Sequence, residues 1–449
     1  MRRILKRFTG LFCVLALCLS MLPVSALAAE DAPSNQPTTL LSDDNVAKIE
    51  ENEYPTLDEA VNAAEDGATI ELLADATTKG WNLTKSLTIT SAPDLAEKPT
   101  VTFEKDGIAL WGKTLTFKGI DVVMNGVGST PYGEWTWMTI CASKDAVLAL
   151  DNVNMTMDAT GSTGSPHAIY FCSNNKLNLT NGSVLTIKNY PNDALEWDGG
   201  DGGYNVNITN STFISDHNRS GFTGTFYATI TNSKVDVVNN LGNGSNGSHF
   251  IIEDSEVNFN NNGSHGLSAG ELSIDNSTVN TKNNNGMGIT VNNAFTVENG
   301  SIVTVTGNAG NPSYGYAAVR LYNDYPFTVD STSELYIEDN NNTGLYVRQG
   351  NLTVEDGAVL KITGNKVSHS LLDGYGGGIY VGYGDNYDPT VILPADAIIC
   401  NNHALVAGDD IYVSEGVSGP SLTFGKVGSV NSFFIYFRHN PTSHSRHPR

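Results

Sequence analysis

Positive charge is scarce in this sequence. Its 449 residues include 25 lysines and arginines against 48 aspartates and glutamates, a formal charge of −23. Such a chain repels nucleic acid and anionic membranes, so neither is an expected partner. It tolerates bound Ca2+, and no other cofactor is expected. Glutamine is nearly absent, with only Gln36 and Gln349. Cysteine is also rare. Cys13 and Cys18 fall in the N-terminal leader, leaving Cys141, Cys172 and Cys400. Three are too few for a disulfide framework in a chain this long. Cys141 and Cys172 sit at similar places in consecutive repeats and read as small buried core residues, with a bridge between them as the alternative. No zinc-ligand spacing, phosphate-binding loop or Ser-His-Asp order occurs.

The N-terminus carries an export signal. Arg2, Arg3, Lys6 and Arg7 precede an apolar run from Leu11 to Leu22, and Ala26-Leu27-Ala28 fits a small-x-small cleavage site. Residues 1–29 therefore read as a signal peptide, and the mature chain as secreted or extracellular, in association with the cell wall. No second long apolar stretch follows, so no membrane insertion is expected after cleavage. Residues 30–52 are polar and aperiodic and read as a leader or linker.

From there one pattern recurs. Two apolar residues two apart lead into Asn or Asp, then a small residue, then further alternation. Examples are VNITNSTF at 206–213, ATITNSKVDV at 228–237, FIIEDSEVNF at 250–259 and LSIDNSTV at 272–279. The polar corner falls at Asn210, Asn232, Asp254 and Asn276, steps of 22 residues, with longer steps elsewhere. A further strand follows each copy, as in HAIYF at 167–171, DALEW at 193–197 and TGLYV at 343–347. A coil is thus three short strands with Asn/Gly corners. No strand of this kind buries its apolar face alone, but stacked coils bury it as one column, about 4.8 Å per coil. Asn and Gly suit sharp corners, and an inward Asn at each Asn/Asp corner is expected to form a ladder. The expected fold is all-β: a right-handed parallel β-helix over 53–428, in a monomer.

An open solenoid end needs a cap. Thr56 and Glu59 form a capping-box pair, and Leu57, Ala60, Val61 and Ala64 make a helical stripe before Gly67. The segment YPTLDEAVNAAEDGATIELL resembles the cap and first strand of pectate-lyase-like right-handed β-helix proteins, and with the coils the resemblance spans about 53–425. It implies a fold that hosts lyases, hydrolases, esterases, tailspikes and adhesin-like bacterial surface proteins, and so implies no single activity.

The catalytic patterns of those relatives are incomplete here. His265 in SHGLSAG looks like the His-Gly part of a polygalacturonase motif, but the aspartate pair and the later Arg-x-Lys are missing. Two carboxyl groups are needed to protonate the leaving group and activate water, so His265 reads as a corner residue. The set closest to a pectate lyase is Glu196, Asp198 and Asp201, with Asp216, His217 and Arg219 one coil later. There Asp198, Asp201 and Asp216 are candidate Ca2+ ligands and Arg219 a candidate base. The bland alternative is a Gly-rich acidic loop with a surface ion pair. The scarcity of Gln counts against a pectin methylesterase. Tyr132, Trp135, Trp137 and Trp197 are candidate sugar-stacking residues.

After about residue 428 the repeat ends. Residues 429–449 form a non-repeat basic tail with Arg438, Arg446, Arg449, His439, His444 and His447. It reads as disordered or truncated, with a wall anchor lost. The main functional expectation is a non-catalytic surface protein that binds a polysaccharide or host-surface glycan. The alternative is a polysaccharide lyase or glycoside hydrolase acting on acidic polysaccharide near Glu196 to Arg219.

Overall fold

The computed structural model describes residues 45–128, 137–172, 174–197, 204–309, 317–368, 374–382, 388–414 and 421–425. The expected signal peptide, most of the expected leader and the basic tail lie outside these residues, as do Tyr132, Trp135, Asp198 and Asp201.

The chain is a right-handed parallel β-helix of three sheets. Each coil carries up to three short strands that pair in parallel with their equivalents in the coils before and after, and from Leu267–Asp275 onward two of the three faces join in one sheet. The strand Lys234–Val238, for example, pairs with Thr212–Asp216 below and Glu256–Asn260 above. Alternation sends Val235, Val237, Val257 and Phe259 inward to full burial, which is the period-2 pattern of the sequence realised. Phe213, Phe222, Phe226, Phe250 and Phe259 stack through the middle coils, with centroids 5.0–5.8 Å apart in the closest pairs.

Corners are set by backbone chemistry. Asn210, Asn232, Asp254 and Asn276 all have positive φ, and so do His217, Asn239, Asn261 and Asn283, seven residues later. A five-residue strand lies between the two left-handed corners, where Asn and Asp are the best tolerated non-glycine residues.

The inward asparagine ladder exists, but one corner later than the sequence pattern suggests. Asn210 and its equivalents are exposed, because a left-handed residue turns its side chain outward. The next residue points inward there, and it is a serine: Ser211, Ser233, Ser255 and Ser277 pass a backbone N–H to the next Oγ at 3.0–3.1 Å. The buried asparagines follow the second corner. Asn240, Asn262, Asn284, Asn308, Asn340, Asn365 and Asn402 each donate, or accept, an Nδ2–Oδ1 bond of 2.8–3.2 Å to the neighbouring coil. Asn284 Nδ2 also reaches the Phe259 carbonyl at 2.8 Å, and its Oδ1 also takes the Asn262 N–H at 2.9 Å. All four hydrogen-bonding positions of the amide are used. Glycine stands beside the ladder because a Cβ at Gly266 would meet Asn284 Nδ2 at 2.6 Å and the Gly288 carbonyl at 2.8 Å.

The N-terminal edge is covered by the helix Leu57–Ala63. Thr56 Oγ1 accepts the Glu59 N–H at 3.2 Å, and Leu57, Ala60 and Val61 are buried. Asp58 Oδ1 accepts from Trp81 Nε1 at 3.0 Å and ties the cap to the first coil. The last residues of the polar leader contribute as well: Ala47–Ile49 and Asn52–Tyr54 form an antiparallel hairpin, and Ala47–Ile49 also pairs antiparallel with Ala68–Leu72. That hairpin extends the first sheet by two short antiparallel strands and leaves only the three-residue Asn52–Tyr54 at its edge, a short edge of the kind that discourages further pairing. Among the described residues, no helix is long and apolar enough to cross a membrane.

Candidate functional site

The third strand of each coil presents one residue per coil on the face opposite the core. Register makes this a column: Cys141, Tyr170, Glu196, Thr223 and Asn246 in successive coils, and farther on Ser268, Thr290, Arg320, Tyr346, Tyr380 and Tyr412. At about 4.8 Å per coil, Glu196 and Arg320 stand roughly 24 Å apart along the wall. Between them the column holds only small polar side chains.

A cluster of ionisable groups sits at the start of these strands. His167 opens the strand His167–Cys172, and Asp193 lies in the same position one coil later, two residues before the paired Ile169 and Leu195. Glu196 is the middle residue of Leu195–Trp197. His167 Nδ1 contacts Glu196 Oε2 and lies 3.7 Å from Asp193 Oδ2. One donor atom of each residue lies within 4.8 Å of the others. His167 and Asp193 are buried, and Glu196 is partly open. Asp193 Oδ1 is buried with no hydrogen-bond partner. Burial, then the Glu196 charge, push the Asp193 carboxyl above the usual carboxylate range; Ser220, His167 and Arg219 pull against them. Arg219, exposed at the corner of the following coil, is held there by its N–H, which donates to the carbonyls of Tyr190 and Asn192 at 3.1 Å.

Aromatic side chains border the cluster. Trp137 is 45% exposed, and its ring centre lies 6.2 Å from that of His167 and 6.1 Å from that of Tyr170. Trp197 differs from the sugar-stacking expectation. It follows an outward Glu196, so alternation turns it inward, and it packs against the core with its Nε1 buried. Cys141 is buried and Cys172 half-buried; register pairs them with Tyr170 and Ser143, not with each other, and no disulfide joins them. Burial pushes the Cys141 thiol up to about 12.

The other sequence candidates lie apart from the cluster. Asp216 and His217 belong to the second-sheet corner. Asp216 Oδ1 contacts His217 Nδ1 at 2.7 Å and accepts from Asn239 Nδ2 at 2.9 Å. His217 occupies a left-handed corner position that other coils give to Asn. His265 sits in the His167 column two coils beyond Ser220. Its Nδ1 accepts the Met287 N–H at 3.0 Å, and burial, then the Arg320 charge, push its pKa down to about 4. A shallow groove of about 540 Å3 runs along the first corner past Asn210, Asn232, Asp254 and Asn276, away from the cluster.

The described residues hold one cluster able to bind a metal ion, His167, Asp193 and Glu196; of the expected Ca2+ ligands, Asp198 and Asp201 lie outside the described residues. Ca2+ takes six to eight oxygens, Asp216 is committed to its corner, and the clustered set contains an imidazole nitrogen. His167 and Asp193 were not singled out as site residues in the sequence, although both stand in segments recognised there as strands. The signal was present as two titratable residues at equivalent positions in adjacent coils, 26 residues apart.

No protein-family model and no curated protein sequence matches this chain. Among solved structures, it is similar to a double-mutant form of the periplasmic alginate epimerase AlgG. The identity is 11%, over 80% of this chain and 85% of that one, with a TM-score of 0.36. This is a likeness of fold and nothing finer.

Proposed function

We propose that this chain is a secreted enzyme of the lyase or glycoside hydrolase type that acts on acidic polysaccharide, at the wall formed by His167, Asp193, Glu196 and Arg219. The observation that carries the reading is the convergence of two carboxyl groups, an imidazole and a nearby guanidinium beside the exposed indole of Trp137. A hydrolase needs a carboxyl pair across the glycosidic bond. A lyase needs a base near the proton next to the sugar carboxylate and a cation to neutralise that carboxylate. The cluster offers groups of both kinds, and Trp137 offers an apolar face for a sugar ring. Thr223 and Asn246 continue the wall with small polar side chains on which a polymer can lie, whereas Ser268 and Thr290, next in the column, are buried. Arg320 and Arg348, each with its guanidinium carbon 4.2 Å from the Tyr322 ring centre, put positive charge at the far end.

The test is a panel of uronate-containing and neutral polysaccharides, with and without added divalent metal. The expected result is unsaturated or new reducing ends from an acidic polymer, lost in Arg219→Ala and Glu196→Gln. A panel without products under any condition would overturn the reading.

The second reading is glycan or host-surface binding without turnover, in an adhesin-like protein at the cell surface. The observation favouring it is a separate aromatic platform: Tyr227, 48% exposed, stacks on His249 at 4.7 Å on another sheet face. Glycan arrays and cell-adhesion assays check it. Binding lost in Tyr227→Ala supports it, and arrays without signal count against it.

A further inference from the structure

We propose that His167, Asp193 and Glu196 form a binding site for a divalent transition-metal ion, zinc above all. The proposal concerns the wall described above, and any role of the ion in turnover rests on the enzymatic reading; binding itself does not.

Geometry comes first. A four- to six-coordinate ion with bonds of about 2.0–2.2 Å holds neighbouring donors roughly 3.0–3.5 Å apart. His167 Nδ1 and Asp193 Oδ2 are separated by 3.7 Å, Glu196 Oε2 lies still nearer the imidazole, and the three donors fit within 4.8 Å. His167 and Asp193 come from equivalent positions in two neighbouring coils and Glu196 from three residues after Asp193, held in place by the Ala168 N–H to Asp193 carbonyl bond of 3.1 Å and the Ile169 N–H to Ala194 carbonyl bond of 3.0 Å. A site built on sheet backbone of this kind is preorganised.

The second observation is independent of the donor count. Asp193 is 3% exposed, and its Oδ1 has no hydrogen-bond donor. A buried carboxylate oxygen left without a partner is costly, and here it belongs to the carboxylate turned toward the imidazole. Two carboxylates around one imidazole nitrogen call for positive charge there, which an imidazolium proton or a bound cation supplies. A divalent ion balances both charges and replaces the long Asp193 N–H contact, 3.4 Å, as the partner of His167 Nδ1.

Donor chemistry then selects the metal. One imidazole and two carboxylates make a mixed nitrogen and oxygen set, which suits zinc and its first-row neighbours and is poor for calcium. Three protein ligands leave a coordination position open for water or for an oxygen of a sugar. Glu196 is the partly exposed member, and Trp137 stands beside the opening.

The experiment uses the full, untagged chain after exhaustive chelation. Zn2+, Mn2+ and Ca2+ are each titrated by calorimetry, and metal content is measured after dialysis. The expected result is one Zn2+ per chain, Mn2+ binding more weakly, and no Ca2+ binding at matched concentration. Glu196→Gln, on the partly exposed ligand, weakens zinc binding about ten-fold or more with an unchanged thermal midpoint in the metal-free state. His167→Gln does the same, and a metal-dependent rise in the midpoint of the native chain is absent from both variants. The proposal is overturned by a lack of stoichiometric zinc binding, by binding that survives both substitutions, or by Ca2+ binding in preference. Zinc binding without products from any polysaccharide leaves the metal site standing and removes the enzymatic reading. Products from a fully chelated chain leave the enzymatic reading standing and remove any role of the ion in turnover, while the binding titration alone decides the site.

Discussion

Asn262 and Asn284 occupy the same position in consecutive coils, and Asn262 Nδ2 donates to Asn284 Oδ1 at 3.0 Å inside the core. Asn284→Ala removes an acceptor for two Asn262 hydrogens and a donor to two oxygens. Groups left unpaired in the interior cost about 1–3 kcal/mol each, so the variant should lose roughly 3 kcal/mol or more. Asn232 sits at an exposed left-handed corner, and Asn232→Gly should change stability by less than about 0.5 kcal/mol. Urea unfolding of the two variants checks the contrast; equal losses would show that the two corners share the same role.

Gly266 faces that same amide. Gly266→Ala brings a methyl group to within 2.6 Å of Asn284 Nδ2 and 2.8 Å of the Gly288 carbonyl. Overpacking of this kind costs about 1–3 kcal/mol. Because both substitutions act on one spot, Gly266→Ala combined with Asn284→Ala should cost less than the sum of the singles. A double-mutant cycle measures the difference, and strict additivity would rule the contact out as the cause.

His265 makes stability depend on pH. Its folded pKa, about 4, lies below the ordinary histidine value of about 6.5. The unfolded chain therefore takes up the proton first as pH falls. The stability contribution is complete above about pH 6.5 and is lost as pH drops through about 4, an effect on the order of 3 kcal/mol. Asn243 holds the equivalent place one coil earlier and accepts the His265 N–H at 3.1 Å, so asparagine fits the column. His265→Asn should keep the neutral-pH thermal midpoint and flatten its decline between pH 7 and pH 4. An unchanged slope would assign the decline to other groups.

Trp137 and Trp197 should separate in opposite ways. Trp137→Ala removes an exposed ring beside the cluster and should weaken polysaccharide binding by about ten-fold, roughly 1.4 kcal/mol, at little cost in thermal midpoint. Trp197→Ala removes a ring packed against the core and should lower the midpoint with a smaller change in affinity per folded molecule. Affinity measured by calorimetry alongside thermal unfolding distinguishes them.

Much of the fold was legible because corners and strands obey strict local rules. Positive φ calls for Asn, Asp or Gly, and two-residue alternation marks every strand, so TGLYV at 343–347 coincides with the strand Thr343–Val347. The placement of the ladder was not legible in the same way. Asn232 and Asn240 are the same residue type near consecutive corners, and only the backbone conformation decides that one faces solvent and the other the core. The hairpin at Ala47–Tyr54 escaped because its residues are polar and pair antiparallel, outside the repeat. For the candidate site, Glu196 and Arg219 stood out in an irregular loop. His167 and Asp193 did not, since their meeting depends on a register that spans a loop of variable length. Trp197 misled for a simpler reason: its neighbours' alternation, not its chemistry, decides which way it faces.

The asparagine row also has a polarity. Its six amide-to-amide bonds run in one direction, from Asn240 to Asn402, so the amide dipoles align and each bond polarises the next. The donor end is met by a carboxylate: Asp410 Oδ1 accepts from both Asn402 Nδ2 and the Asn402 N–H, at 3.0 and 3.1 Å. The opposite end is met by donors, the Asn218 N–H and the Ser215 hydroxyl, on Asn240 Oδ1. The coils are therefore coupled electrically as well as by packing. A break in the middle of the row leaves two shorter dipoles, each with a new unterminated end, so its effect reaches coils that the altered residue never touches.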